Sequence, residues 1–188
     1  SRGLGDVYKR QADKIDLEEM KSFDPSNIVV GISSNVIKDS LIAIALDDLK
    51  IIGISNAIYN PEKYSLPSFR SILTSDMKRD LPNYISDYAN KDIQFYNVTD
   101  IVEFNNKDTL THAPYGQYIF NEIKEDKVSD SELEQMKINT KSQATNYLNK
   151  IMTNYDFDIF ISVDNSMAGI AAAAHFPALT IPMGYRSD

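Results

Sequence analysis

The side chains that could do chemistry in this sequence are few and widely spaced. A serine pair, Ser33-Ser34, follows the apolar run at residues 28–32, a place where a nucleophile or a phosphate-holding loop can sit. The pair lacks the flanking glycines of a phosphate cradle and the G-x-S-x-G spacing of a nucleophile elbow, so capping of the next helix explains it better. His175 has the one side chain type that titrates near neutral pH. It follows four alanines and precedes Phe176-Pro177, which places it at a helix end, and no oriented partner for a general base is visible. His112 lies in a polar stretch before Pro114 and is expected to face solvent. Asp156, Asp158 and Asp164 flank an apolar run; at ~3.3 Å per residue, Asp158 and Asp164 are ~20 Å apart and cannot act as a carboxylate pair. The loop Asp164-Asn165-Ser166 is the better candidate, because ligands of open α/β sheets bind beyond the carboxyl ends of strands. Asn165 and Ser166 are therefore the candidate substrate-binding residues, with a helix cap as the alternative reading.

Composition removes whole classes of chemistry. The 188 residues contain no cysteine, which excludes a thiolate nucleophile, disulfides and Cys-based metal sites. Two histidines far apart make a metal centre unexpected, and no cofactor motif is present. With 27 acidic against 19 basic residues the net charge is −8, and no Lys/Arg stripe offsets it, so nucleic acid is not an expected partner. No window approaches ~18 consecutive apolar residues, so no membrane-crossing helix is expected.

The elements that must position these side chains follow from periodicity. The β-branched run at 28–32 predicts a buried strand after a turn at Asp24-Pro25-Ser26. Residues 36–50 carry a helical period, and 51–58 read as a second strand with Gly53 inside it. This is a βαβ-like unit that favours parallel pairing. From 66 to 153 the pattern is largely helical. Pro67 suits a first turn, Pro82 restarts a helix, Asp100 caps a short one, and Pro114-Tyr115-Gly116 turns into another. Ser129-Asp130-Ser131 caps a long helix through Leu133, Met136, Thr140, Ala144, Tyr147, Leu148 and Ile151. A third strand at 158–163, a helix at 166–174 and a fourth short strand at 178–181 complete an α/β fold: a mixed sheet flanked by helices, with a largely helical insertion at 66–153. Residues 1–11 show no hydrophobic period. Asp6 to Gln11 match one reading frame of the transposon end used to tag DNA for sequencing libraries, so residues 1–11 are expected to be a non-native tail.

Three stretches in order resemble one known family. "DIFISVDNSMAGIAAAAHFPALTIPMGY" (158–185) resembles the C-terminal section of the amidase signature family. Its G-x-P-A-x-x-x-P-x-G element appears from His175 through Pro177, Ala178 and Pro182 to Gly184, with histidine where glycine is usual. "FRSILTSDMKRDLPNYISD" resembles a helical segment of the family through Phe69, Met77, Lys78, Asp80, Leu81, Asn83 and Tyr84. "PYGQYIFNEI" resembles a further segment through Tyr115, Gly116, Gln117 and Phe120. Together they cover residues 28–188.

The resemblance implies an amidohydrolase that cleaves carboxylic amides through a serine acyl-enzyme, with a bridging serine on a cis peptide bond and a lysine base. Such a lysine must be neutral to accept a proton. The family carries that triad in a Gly-Ser-rich segment nearer the N-terminus, and no such segment occurs here among only seven glycines. No catalytic residue is therefore assigned, and residues 12–188 are expected to be the C-terminal part of a single amidase domain, truncated at both ends and inactive alone. The implied ligand is a small-molecule amide; a homo-oligomer is compatible with this reading. The alternatives are a self-contained α/β module that binds a small ligand without catalysis, and a non-catalytic homologue used for assembly.

Overall fold

The computed structural model describes residues 24–185, so the reading of residues 1–11 as a tail lies outside the described residues. The described residues form two compact units, 67–138 and, discontinuously, 24–66 with 139–185.

The discontinuous unit is built on a three-stranded parallel sheet. Strands β1 (Val29–Ser33), β2 (Ser55–Tyr59) and β3 (Ile159–Ile161) lie in the order β2-β1-β3. Val30 pairs with Asn56 on one side and Ile159 on the other. All three strands are mutually parallel, and no antiparallel strand joins them among the described residues. As the central strand, β1 is covered on both faces, which is why it reads as an unbroken apolar run. Val30 and Ile32 point to one face and form a core with Ile42 of helix α1 (Ser40–Ile51), joined by Leu46, Leu49, Ile54, Ile161 and Val163. Gly31 points to the other face, where the Phe157 ring lies against its backbone: a Cβ there would sit 2.6 Å from Cδ1 and Cε1.

Helix α1 starts later than its period suggested. Residues 34–38 form turns, and Asp39 is the cap, its carboxylate accepting from Leu41 N–H at 2.9 Å. The helix also runs on to Ile51, so β2 begins at Ser55. Gly53 (φ +81°) is not inside a strand. It closes the helix, with Gly53 N–H donating to Lys50 O at 3.2 Å and Ile54 N–H to Leu49 O at 2.9 Å.

Between β2 and β3 every regular element is helical: α2 (Phe69–Tyr88), α3 (Val98–Lys107), α4 (Thr109–His112), α5 (Tyr118–Glu125) and α6 (Asp130–Tyr155). Within residues 67–138, Val98, Val102 and Ile123 make a core with Leu81 and Phe120. Pro82 does not restart a helix; it lies inside α2. Its missing N–H leaves the Lys78 carbonyl without its usual helical donor, normally a break. Buried Ile72 and Ser75 before it and packed Leu81 beside it hold the helix in line. Lys78 and Arg79 clamp the segment after α5: Lys78 Nζ donates to Lys124 O at 2.9 Å and Asp126 O at 2.6 Å, and Arg79 to Val128 O at 2.6 Å. The cap of α3 is Asn97 rather than Asp100, which instead returns its carboxylate to Asn97 N–H in a capping box. Ser129 and Glu132 make the same reciprocal contact at the start of α6.

Helix α6 contributes to both units. Leu133, Thr140, Ala144, Leu148 and Ile151 are buried along it as one helical stripe. After β3, α7 (Ala168–Ala174) buries Ile170, Ala171, Ala173 and Ala174 while Ala172 faces solvent. No strand forms at 178–181 among the described residues; Leu179 and Ile181 are 85% and 63% exposed.

Candidate functional site

Parallel strands bring their carboxyl ends to one edge of the sheet, and the loops leaving that edge are where α/β folds hold ligands. A cleft of about 520 Å3 opens there. Ser33, Asn35 and Val36 leave β1; Tyr59, Pro61, Glu62, Lys63 and Tyr64 come from the end of β2; Ile161, Ser162, Ser166 and Met167 leave β3; Tyr147 reaches in from α6. Its volume falls within the ~300–1,000 Å3 usual for small-molecule sites. A larger cavity, about 620 Å3, lies in residues 67–138 along α3 and the segment before it. It meets no strand end, and Asp100 on its wall is already spent in the α3 cap.

Three tyrosines dominate the cleft at the sheet edge. Tyr59, the last residue of β2, is 2% exposed and packs on Phe157 (ring centroids 5.4 Å apart) and Tyr155 (6.1 Å). Burial, then the nearby phenols of Tyr147 and Tyr64, push its pKa up to about 12. Tyr59 is thus a neutral phenol at any physiological pH, suited to donating a hydrogen bond and not to accepting a proton. Tyr64 and Tyr147 form an aromatic pair at 4.8 Å, tilted by 42°. Burial and the same neighbourhood also raise Tyr147.

The loop after β2 is tied down from two sides. Tyr147 donates to Glu62 O at 3.1 Å, and Lys150 Nζ reaches the Glu62 carboxylate at 2.7 and 2.8 Å. Tyr64 Oη makes a long contact of 3.5 Å with Ser166 O, which links this loop to the one after β3. The polar groups that remain, on Ser33, Asn35, Ser162, Ser166 and Lys63, suit orientation of a small polar ligand. No serine Oγ is hydrogen-bonded to a lysine Nζ among the described residues. No group of three or more His, Cys, Asp or Glu placed to hold a metal occurs among them either.

The residues singled out in the sequence separate on this frame. Ser166 lines the cleft; Asn165 is exposed outside its lining and accepts from Ala168 N–H at 3.0 Å. Neither caps α7, whose cap position is Met167 without a side-chain bond. Ser33 lines the cleft, but its Oγ accepts from Asn35 N–H at 3.2 Å, closing a turn; Ser34 caps no helix either. His175 ends α7 in the left-handed conformation (φ 60°), a backbone region that favours glycine. His112 is exposed, yet it stacks on Phe104 at 4.2 Å and its Nδ1 lies 3.1 Å from Phe104 O. Asp158 is engaged at the amino end of β3, accepting from Val29 N–H at 2.9 Å. Sequence reasoning missed Tyr59, Tyr64 and Tyr147; an aromatic ending a strand at its carboxyl end was the available signal for Tyr59.

No protein-family profile and no curated protein matches the chain. Solved structures do resemble it. An amidase family protein from Bacillus anthracis str. Ames superposes with a TM-score of 0.74 at 19% identity, over 98% of this chain and 38% of that one. The native peptide amidase from Stenotrophomonas maltophilia gives 0.74 at 17% identity, over 100% of this chain and 43% of that one. The chain thus spans less than half the length of either. The fold shared by residues across this whole chain is that of a section of the amidase-family proteins.

Proposed function

We propose that this chain is part of an amidohydrolase that hydrolyses the carboxylic amide bonds of small or peptide-like molecules through a serine acyl-enzyme. The observation that carries this reading is the superposition over 98–100% of the chain on amidase-family structures more than twice as long. In the mechanism implied, a serine Oγ adds to the amide carbonyl, the C–N bond breaks as the amine leaves with a proton, and water then releases the acid. The serine and its lysine base belong to polypeptide outside these 188 residues, and fixed donors would stabilise the oxyanion. This chain's part is a wall of the substrate pocket: Ser166, with Asn165 beside it, and the neutral phenol of Tyr59 as donors at the edge of the sheet.

A second reading, a small-ligand module without catalysis, is favoured by one observation: the sheet-edge cleft, about 520 Å3, has the volume usual for a small-molecule site. Ammonia release from small amides separates the two. The longer reading frame containing this sequence should hydrolyse them, and the 188 residues alone should not. A longer frame with no Gly-Ser-rich segment and no turnover overturns the enzyme reading. Turnover by the 188 residues that is lost in Ser33→Ala or Ser34→Ala overturns the placement of the nucleophile.

A further inference from the structure

We propose that the cleft at the carboxyl edge of the sheet is an aromatic slot that selects amides whose acyl group is a flat, uncharged ring. The inference rests on the amidase reading only for the word amide; the slot itself is a property of the cleft. Its apolar lining includes Tyr64, Tyr147, Pro61, Ile161 and Met167, contributed by the end of β3, the loops after β2 and β3, and α6. Tyr64 and Tyr147 pair with their ring centroids 4.8 Å apart, and both line the cleft as its aromatic wall. A ring lying on that wall gains offset or edge contacts that a saturated ring of equal size lacks, and the Met167 thioether on the lining favours aromatic partners further.

Apart from the exposed Lys63, whose charge is screened by water and salt, the polar end of such a ligand meets neutral or paired groups. Glu62 is paired to Lys150, so its charge is compensated where it borders the cleft. Tyr59 on the cleft lining stays protonated, kept so first by its burial and then by the phenols of Tyr147 and Tyr64. A protonated phenol donates to a carboxamide oxygen, which needs no counter-charge. The Glu62 tether also holds the loop bearing Tyr64 in place before a ligand arrives, so the aromatic wall is preformed.

The test uses the 188-residue chain and four probes: benzamide, cyclohexanecarboxamide, propionamide and benzoate, titrated by calorimetry at neutral pH. Benzamide should bind saturably and at least about threefold more tightly than cyclohexanecarboxamide, since one aromatic contact is worth roughly two- to tenfold. Tyr64→Leu keeps the bulk and removes the ring; it should weaken benzamide by about that factor and leave cyclohexanecarboxamide within twofold. Tyr64→Phe should keep the preference, which guards against a Leu variant that merely unfolds. No saturable binding of benzamide, equal affinity for the two cyclic amides, or tighter binding of benzoate overturns the slot. The outcomes are separable from the enzyme reading. Benzamide bound but not hydrolysed by the longer protein leaves the slot and removes the amidase; hydrolysis confined to aliphatic amides does the reverse.

Discussion

Replacing Gly31 by alanine adds one methyl group at the most crowded point of the sheet. The new Cβ would lie 2.6 Å from two carbons of the Phe157 ring and 2.7 Å from a third, well inside van der Waals contact. Relief must come from the strand or from the ring. The strand is held on both sides, Gly31 pairing with Ala57 of β2 and Phe160 of β3, so a backbone shift breaks two ladders. The ring is 5% exposed and rests on Tyr59, so it cannot swing into solvent without opening the core. Overpacking of this kind costs about 1–3 kcal/mol, and a site with neither escape belongs at the upper end, near 3 kcal/mol.

The assay is urea unfolding followed by circular dichroism. Gly31→Ala should lose about 3 kcal/mol, and Phe157→Leu, a large-to-small core change, about 1–3 kcal/mol. The double variant should lose clearly less than their sum, because the smaller side chain vacates the space the methyl group needs. Gly53→Ala serves as the contrast: nothing lies within 4 Å of its added Cβ, so only the left-handed backbone (φ +81°) resists, at about 1–2 kcal/mol. Phe157→Leu should leave the Gly53→Ala cost unchanged. If Gly31→Ala costs under about 0.5 kcal/mol, or if Phe157→Leu fails to offset it, the close approach of ring to strand is refuted.

Two further perturbations test other links. Tyr59 has its folded pKa raised to about 12 by burial, against about 10 unfolded, so its contribution is whole below pH 10 and is lost as pH rises through 12. The unfolding free energy of the native chain minus that of Tyr59→Phe should therefore fall by up to about 3 kcal/mol between pH 9 and pH 12; a flat difference would sink the claim. His175→Gly should raise stability by about 0.5–1 kcal/mol, because glycine meets no Cβ clash at φ 60°, while His175→Ala should lower it. A thermal midpoint that drops in the glycine variant would show that the imidazole contributes more than the backbone strain removes.

The framework was legible because it is written locally. The apolar run of β1, the stripe of α6 and the Ser129 cap that starts it each lie within a few turns of chain, and all three are in the structure. The cleft was not legible. Tyr59, Tyr64 and Tyr147 come from two segments more than eighty residues apart, and only the parallel pairing of β1 with both β2 and β3 brings their loops to one edge. Tyr147 also sits beside the buried stripe of α6, where its period marks it as core rather than as a cleft wall. Of the two residues expected to meet a ligand, Ser166 does line the cleft and Asn165 lies one residue outside it.

The placing of Gly53 inside a strand has a backbone cause. Helices α1, α6 and α7 all end in the same left-handed closure, at Gly53 (φ 81°), Asp156 (φ 51°) and His175 (φ 60°). In each, the N–H that follows donates to a carbonyl five residues back: Ile54 to Leu49 at 2.9 Å, Phe157 to Met152 at 3.2 Å and Phe176 to Ala171 at 2.9 Å. A closure of this kind wants glycine, tolerates Asp or His at a cost, and gives no signal when either stands there. Gly53 carried the signal but sat between β-branched residues, where the strand pattern overrode it. At Asp156 the closure redirects the chain from α6 and sets down Phe157, one residue later, on Gly31. The aromatic floor beneath Tyr59 thus follows from a helix end that the residue type alone does not announce.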